Sequence, residues 1–138
     1  MNGSRAAAVV TWSYVAVFGI PAVPTSIHLA EHGRLPTLWG LFEMYGGPWS
    51  AATSQDRLTA LLLLFAALTL AAAGSSWLLW TKRRGGAVSN LALLPVEAVF
   101  WVGFALPVPW LFGVARVVLI ALAWRSPSPS PRHEAPTS

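Results

Sequence analysis

LTALLLLFAALTLAAAGSSWLLW, residues 58 to 80, contains no Asp, Glu, Lys, Arg or Pro. A bilayer core about 30 Å thick is crossed by roughly 20 residues of helix rising about 1.5 Å each, so this run is long enough to span. It is crowded with Ala and Leu and does not alternate between apolar and polar positions. In lipid the backbone must satisfy its own hydrogen bonds, and such a run does so as a helix rather than as a barrel strand. Three further apolar runs lie around it, at about 6–23, 87–106 and 108–124. The expected fold is an all-α integral membrane protein whose four transmembrane helices form a small bundle over residues 1–125.

Composition points the same way. The 138 residues are 55% hydrophobic and only 10% charged, with a mean hydropathy of +0.58, against roughly 25% charged in soluble domains. Cysteine is absent, which removes disulfides, thiolate metal sites and cysteine nucleophiles together. The basic residues are almost all Arg, Lys82 being the only lysine, and Ala, Gly and Pro are abundant; this composition fits a GC-rich bacterial genome.

The basic residues also set the expected orientation. Arg5, Lys82, Arg83, Arg84, Arg125 and Arg132 flank the runs on one side, and Arg34 and Arg57 on the other. The bias predicts a multi-pass protein of the cell membrane with both termini cytoplasmic. Trp77, Trp80 and Trp124 would then lie at the inner interface and Trp39, Trp49 and Trp110 at the outer one. MNGSR followed by an apolar stretch has the outline of a signal peptide, but IPAVPTS is a poor small-residue cleavage site, so the first run is expected to remain as a helix. The tail, residues 126–138, is rich in Ser and Pro and is expected to be disordered.

The outer loop, residues 25–57, holds His28, Glu31, His32, Glu43 and Asp56. Within it, PTLWGLFEMYGGPW opens on Pro36 and meets Gly46, Gly47 and Pro48, which predicts a short interfacial helix lying in the headgroup layer or capping the bundle. HLAEH, residues 28–32, places two imidazoles four positions apart. Its H-x-x-E-H pattern resembles that of the inverzincin metalloproteases over these five residues. The resemblance implies metal ligands His28 and His32 and a general base Glu31, with Glu43 or Asp56 as the loop carboxylates that could complete a shell. Gly33 follows at once and no third ligand stands out, so no metal and no cofactor are expected.

There is no phosphate-binding glycine loop, dinucleotide fingerprint or nucleophile elbow. The net charge of +4 is accounted for by orientation, and nucleic acid is not an expected partner.

Two charges interrupt the last apolar stretch, VEAVFWVGFALPVPWLFGVAR, residues 96–116. Glu97 lies ten residues before Pro107 and Arg116 nine after it. If the third and fourth helices form an antiparallel hairpin, both charges sit roughly 14–15 Å below its tip, near mid-membrane. Each alone costs about 2.5–3.5 kcal/mol on insertion scales, so pairing is the expected arrangement. Asn90 falls two turns before Glu97 on the same face, Gly113 lets a neighbour approach near Arg116, and Pro95 frees the carbonyl of Leu91 for the arginine or a water.

Three functions fit this pattern. In the leading one the pair pins the hairpin of an accessory, assembly or partner-binding protein, with the lipid bilayer and a second copy or another membrane protein as partners. In the second, Glu97 carries a proton or a cation in a small oligomeric transporter. In the third, a membrane enzyme uses His28, Glu31 and His32 on a lipid at the outer face. An enzyme is the least expected of these.

Overall fold

The computed structural model describes residues 2–38, 40 and 42–125. The Ser/Pro-rich tail, Trp39, which was expected at the outer interface, and Leu41 lie outside the described residues. Among the described residues the structure is helices and connecting loops apart from one two-residue strand pair, and three helices are long and apolar enough to cross a membrane: Gly3–His32, Gln55–Trp80 and Arg84–Gly103.

The first of these consists of α1 (Gly3–Tyr14), a π-helical turn (Val15–Gly19) and α2 (Ala22–His32). It therefore continues to His32 rather than ending near Val23, although Pro21 and Pro24 lie within it. A proline inside a helix removes a donor and pushes on the carbonyl one turn back. Here the turn before Pro21 widens, with Ile20 N–H reaching the Val15 carbonyl at 2.9 Å, as π-bulges do at such points. Thr25 Oγ1 donates to the Pro21 carbonyl at 2.7 Å, and the Tyr45 hydroxyl donates to the Phe18 carbonyl. The Tyr45 side chain thus satisfies a carbonyl of the disturbed turn, while the Thr25 hydroxyl adds a second bond to a carbonyl that its own N–H already holds at 3.1 Å. Gly33, with φ 70°, ends α2 in the left-handed conformation that favours glycine.

The expected interfacial helix over Pro36–Tyr45 does not form. Thr37–Leu38 (β1) pairs antiparallel with Phe42–Glu43 (β2), Thr37 opposite Glu43 and Leu38 opposite Phe42. Gly40, at φ 69° between them, turns the chain, a conformation that breaks a helix and suits a tight hairpin. Among the described residues between α2 and Gln55, the helix is α3 (Pro48–Ala52), whose first position is Pro48. The proline-at-the-start rule therefore holds at Pro48 and fails at Pro36.

α4 (Gln55–Trp80) packs on α1 and α2 on one side and on α5 (Arg84–Gly103) on the other, while α6 (Pro109–Arg125) packs chiefly on α1. α5 and α6, although consecutive, touch each other far less than α4 and α5 or α1 and α6 do. Trp101 explains the gap: its ring lies between them, and a Cβ on Gly113 would come within 2.8 Å of it. Elsewhere glycine closes the distance. A Cβ on Gly19 would meet Thr69 Oγ1 at 2.2 Å, so the bare backbone of the π-turn rests on the Thr69 side chain of α4.

Both hairpin turns after long helices take the same form. After α4, Arg83 N–H bonds the Leu78 carbonyl and Lys82 N–H that of Leu79, with Lys82 at φ 59°. After α5, Leu106 N–H bonds the Trp101 carbonyl and Ala105 N–H that of Val102, with Ala105 at φ 51°. These are Schellman ends without the usual glycine.

Candidate functional site

The four long elements converge on Arg116. Its Nη1 lies 2.6 Å from Oε2 of Glu97 and its Nη2 3.4 Å from Oε1, a two-pronged, charge-assisted contact. Its Nε donates to Oδ1 of Asn90 at 2.8 Å and Nη2 reaches the Asn90 carbonyl at 3.4 Å. Asn90, Glu97 and Arg116 are all 0% exposed. The structure thus brings together the three polar residues expected to face one another. The carbonyl taken is that of Asn90, one residue before the Leu91 carbonyl that Pro95 was expected to free.

The network extends further than the sequence suggests. Asn90 Nδ2 donates to Oγ of Ser75 at 3.1 Å and of Ser76 at 3.0 Å. Both hydroxyls in turn donate to the Ala72 carbonyl, at 2.8 and 2.9 Å. From α1, the Tyr14 ring lies 5.7 Å from the Arg116 guanidinium carbon, within cation–π range. Trp101 Nε1 donates to the Tyr14 hydroxyl at 2.9 Å. One charged side chain on α6 is therefore held by α5, which is anchored to α4, and is covered by α1. Among the described residues, every buried side-chain nitrogen and oxygen has a partner, the condition under which a buried ion pair is tolerated. Ser75, Ser76 and Tyr14 escaped the sequence reading because hydroxyl residues in helices commonly bond their own preceding carbonyl. The Ser75–Ser76 pair inside an otherwise apolar run was the available signal.

The loop forms a second structured region, over the end of the bundle. Trp49 packs edge-on against Phe100 and Phe104, both at 5.3 Å, and Gly103 leaves room for it, since a Cβ there would lie 2.2 Å from the Trp49 ring. Trp49, expected at the headgroup level, is thus a plug between the loop and α5. Tyr45 is buried against Phe65 and Phe104, and burial raises the pKa of its hydroxyl, which keeps the proton that it donates to Phe18. Gln55, the first residue of α4, donates to the Leu29 carbonyl at 2.9 Å and that of Ala30 at 3.2 Å, tying the end of α2 to the start of α4 beneath the loop.

The expected outer-loop residues divide between two places. His28 and His32 lie on α2 with stacked rings, centroids 4.3 Å apart. The Nδ1 atoms of both face backbone carbonyls, those of Arg34 at 3.1 Å and His28 at 3.2 Å. Glu31 is exposed beside them. Glu43 instead lines a pocket of about 460 Å³ with Leu29, Arg34, Ser50 and Gln55. Among the described residues, no three His, Asp or Glu side chains come together as a metal shell would require.

Comparison with protein-family models, with curated proteins and with solved structures yields no match for this chain. The reading of function therefore rests on its own geometry.

Proposed function

We propose that the chain is a multi-pass protein of the cell membrane, with four crossing helices and both termini cytoplasmic, and that it acts as an accessory, assembly or partner-binding component. The observation that carries this reading is the closure of the Glu97–Arg116–Asn90 network: all three side chains are 0% exposed and each is bonded to other groups of the protein. A carboxylate that loads and releases protons needs a path to water, and one held at 2.6 Å by a buried guanidinium is better suited to pinning helices. This favours the structural role of Glu97 over the transporter alternative.

α6 is the short member, with 17 residues, about 26 Å of helix against a core of about 30 Å. Its crossing is supported by its close packing along α1 and by the neutralisation of its one internal charge. The orientation is supported by the ends of the bundle. Arg5 lies over Trp80, and a Cβ on Gly3 would touch Ala123, so Arg5, Lys82, Arg83, Arg84 and Arg125 share one end while Arg34 and Arg57 lie at the other.

Two measurements test the proposal. In a chain free of native cysteine, Ser54→Cys should label from outside cells and Gly85→Cys only after permeabilisation; the reverse pattern overturns the orientation. Proteoliposomes carrying the protein should lose an imposed pH gradient no faster than empty vesicles. A faster loss, abolished in Glu97→Gln, would replace the accessory reading with the transporter one.

A further inference from the structure

Five cations project from one end of the bundle: Arg5, Lys82, Arg83, Arg84 and Arg125 are all exposed. The carboxylates of the described residues are Glu31, Glu43, Asp56 and Glu97. The first three belong to the opposite end, and Glu97 is taken by Arg116. The charge at the Arg5 end is therefore uncompensated among the described residues.

Orientation requires only that cations lie on this side of the membrane. It does not require their arrangement, which is more specific. The Arg5 guanidinium carbon lies 5.1 Å from the centre of the Trp80 ring. Trp80 is itself packed on Trp12 at 5.5 Å, and Trp12 is fixed by donating from Nε1 to the Ala73 carbonyl at 3.1 Å. Two residues after Trp80, the left-handed Lys82 reverses the chain. Gly86 then lies against the α4 backbone, where a Cβ would come within 2.5 Å of Leu79 N. That contact draws the start of α5 onto the end of α4 and holds Arg83 and Arg84 at the turn beside Trp80. Gly85, between them and Gly86, faces open space.

We propose that this end is a binding site for an anionic phospholipid, whose phosphodiester lies between Arg5 and the Lys82–Arg84 turn, with its glycerol region against the Trp80 indole. The chemistry supports the choice of ligand. A tryptophan at headgroup level supplies an amphipathic surface for the lipid's interfacial part, and clustered basic residues at a cytoplasmic membrane face attract anionic headgroups. A soluble phosphate would use the cations but not the indole. This inference rests on the proposed membrane location, and its test is arranged to be independent of orientation.

The full chain, purified in detergent, would be titrated with phosphatidylglycerol, phosphatidylcholine or inorganic phosphate, and bound lipid would be counted by native mass spectrometry alongside the melting temperature. Phosphatidylglycerol should be retained and should raise the melting temperature, whereas phosphatidylcholine and phosphate at equal concentration should not. Arg83→Gln combined with Arg84→Gln should weaken retention on the order of 30-fold, and the corresponding Lys pair should restore most of it. Arg34→Gln with Arg57→Gln, at the opposite end, should leave retention unchanged. Equal retention of both lipids, an equal effect of phosphate, or an equal loss in the Arg34/Arg57 variant would each overturn the site. If the Gln pair proves unstable, Arg5→Gln alone, which leaves the turn intact, carries the same expectation of weakened, phosphatidylglycerol-specific retention. Outside labelling of Ser54→Cys in each variant separates a failed site from a failed orientation.

Discussion

Nε of Arg116 donates to Oδ1 of Asn90 at 2.8 Å, so the guanidinium is shared between Asn90 and Glu97 rather than spent on one ion pair. This relationship changes what the removal of the charges should do. With Glu97→Leu a buried cation is left without its counter-charge, and with Arg116→Leu both Glu97 and Asn90 Oδ1 lose a partner. Each single change should cost about 3–5 kcal/mol. The double Leu variant should recover much of that loss but not all, because a stranded Asn90 acceptor costs about 1–3 kcal/mol. Melting temperatures in detergent for the four variants decide the matter; losses that simply add would rule out coupling.

Docking of the loop on the bundle depends on the space above Gly103. Gly103→Ala would place a methyl carbon 2.2 Å from the Trp49 ring, so Trp49 must move and the loop must loosen, at a cost of about 1–3 kcal/mol. Trypsin cleavage after the exposed Arg34 should then accelerate, and Trp49→Leu in the same chain should partly restore protection. An unchanged cleavage rate would mean that the plug contributes nothing to holding the loop.

Ala105 is held at φ 51°, a region that costs an L-residue roughly 1–2 kcal/mol. Ala105→Gly should relieve that strain and raise stability by about 1 kcal/mol, and Lys82→Gly, at φ 59°, should do the same at the other turn. Thermal melts of the two variants test this. A fall in melting temperature for both would contradict the left-handed helix ends.

His28 and His32 form a stacked pair with both Nδ1 atoms turned to backbone carbonyls, and two imidazoles make only half of a tetrahedral shell. The purified protein should carry no stoichiometric zinc. Metal analysis checks this: one tightly held zinc per chain, lost in His32→Ala, would shift the reading towards an enzyme at this end.

Much of the architecture was legible from properties that lie along the chain. Long charge-free runs predict helices, because a backbone in lipid would have no other partner. The separation of Arg5, Lys82, Arg83, Arg84 and Arg125 from Arg34 and Arg57 follows from where the turns fall. The meeting of Glu97 with Arg116 follows from nearly equal distances, ten and nine residues, to Pro107 on either side of a hairpin. Each of these is a matter of spacing, and spacing is written in the sequence.

Tertiary structure alone decided the rest. Helices as apolar as α4 and α6 carry no stripe to say which face turns inward, so their rotation, and with it the partnership of Asn90 with Ser75 and Ser76, was set by packing against neighbours. The loop depended on a local choice at Gly40, whose left-handed turn favoured a hairpin over the helix suggested by Pro36. The first apolar run ends near Val23, beside Pro21 and Pro24, whose cost is local. Both prolines nonetheless lie within one element from Gly3 to His32 because a π-turn accommodates them and the distant Tyr45 bonds the Phe18 carbonyl.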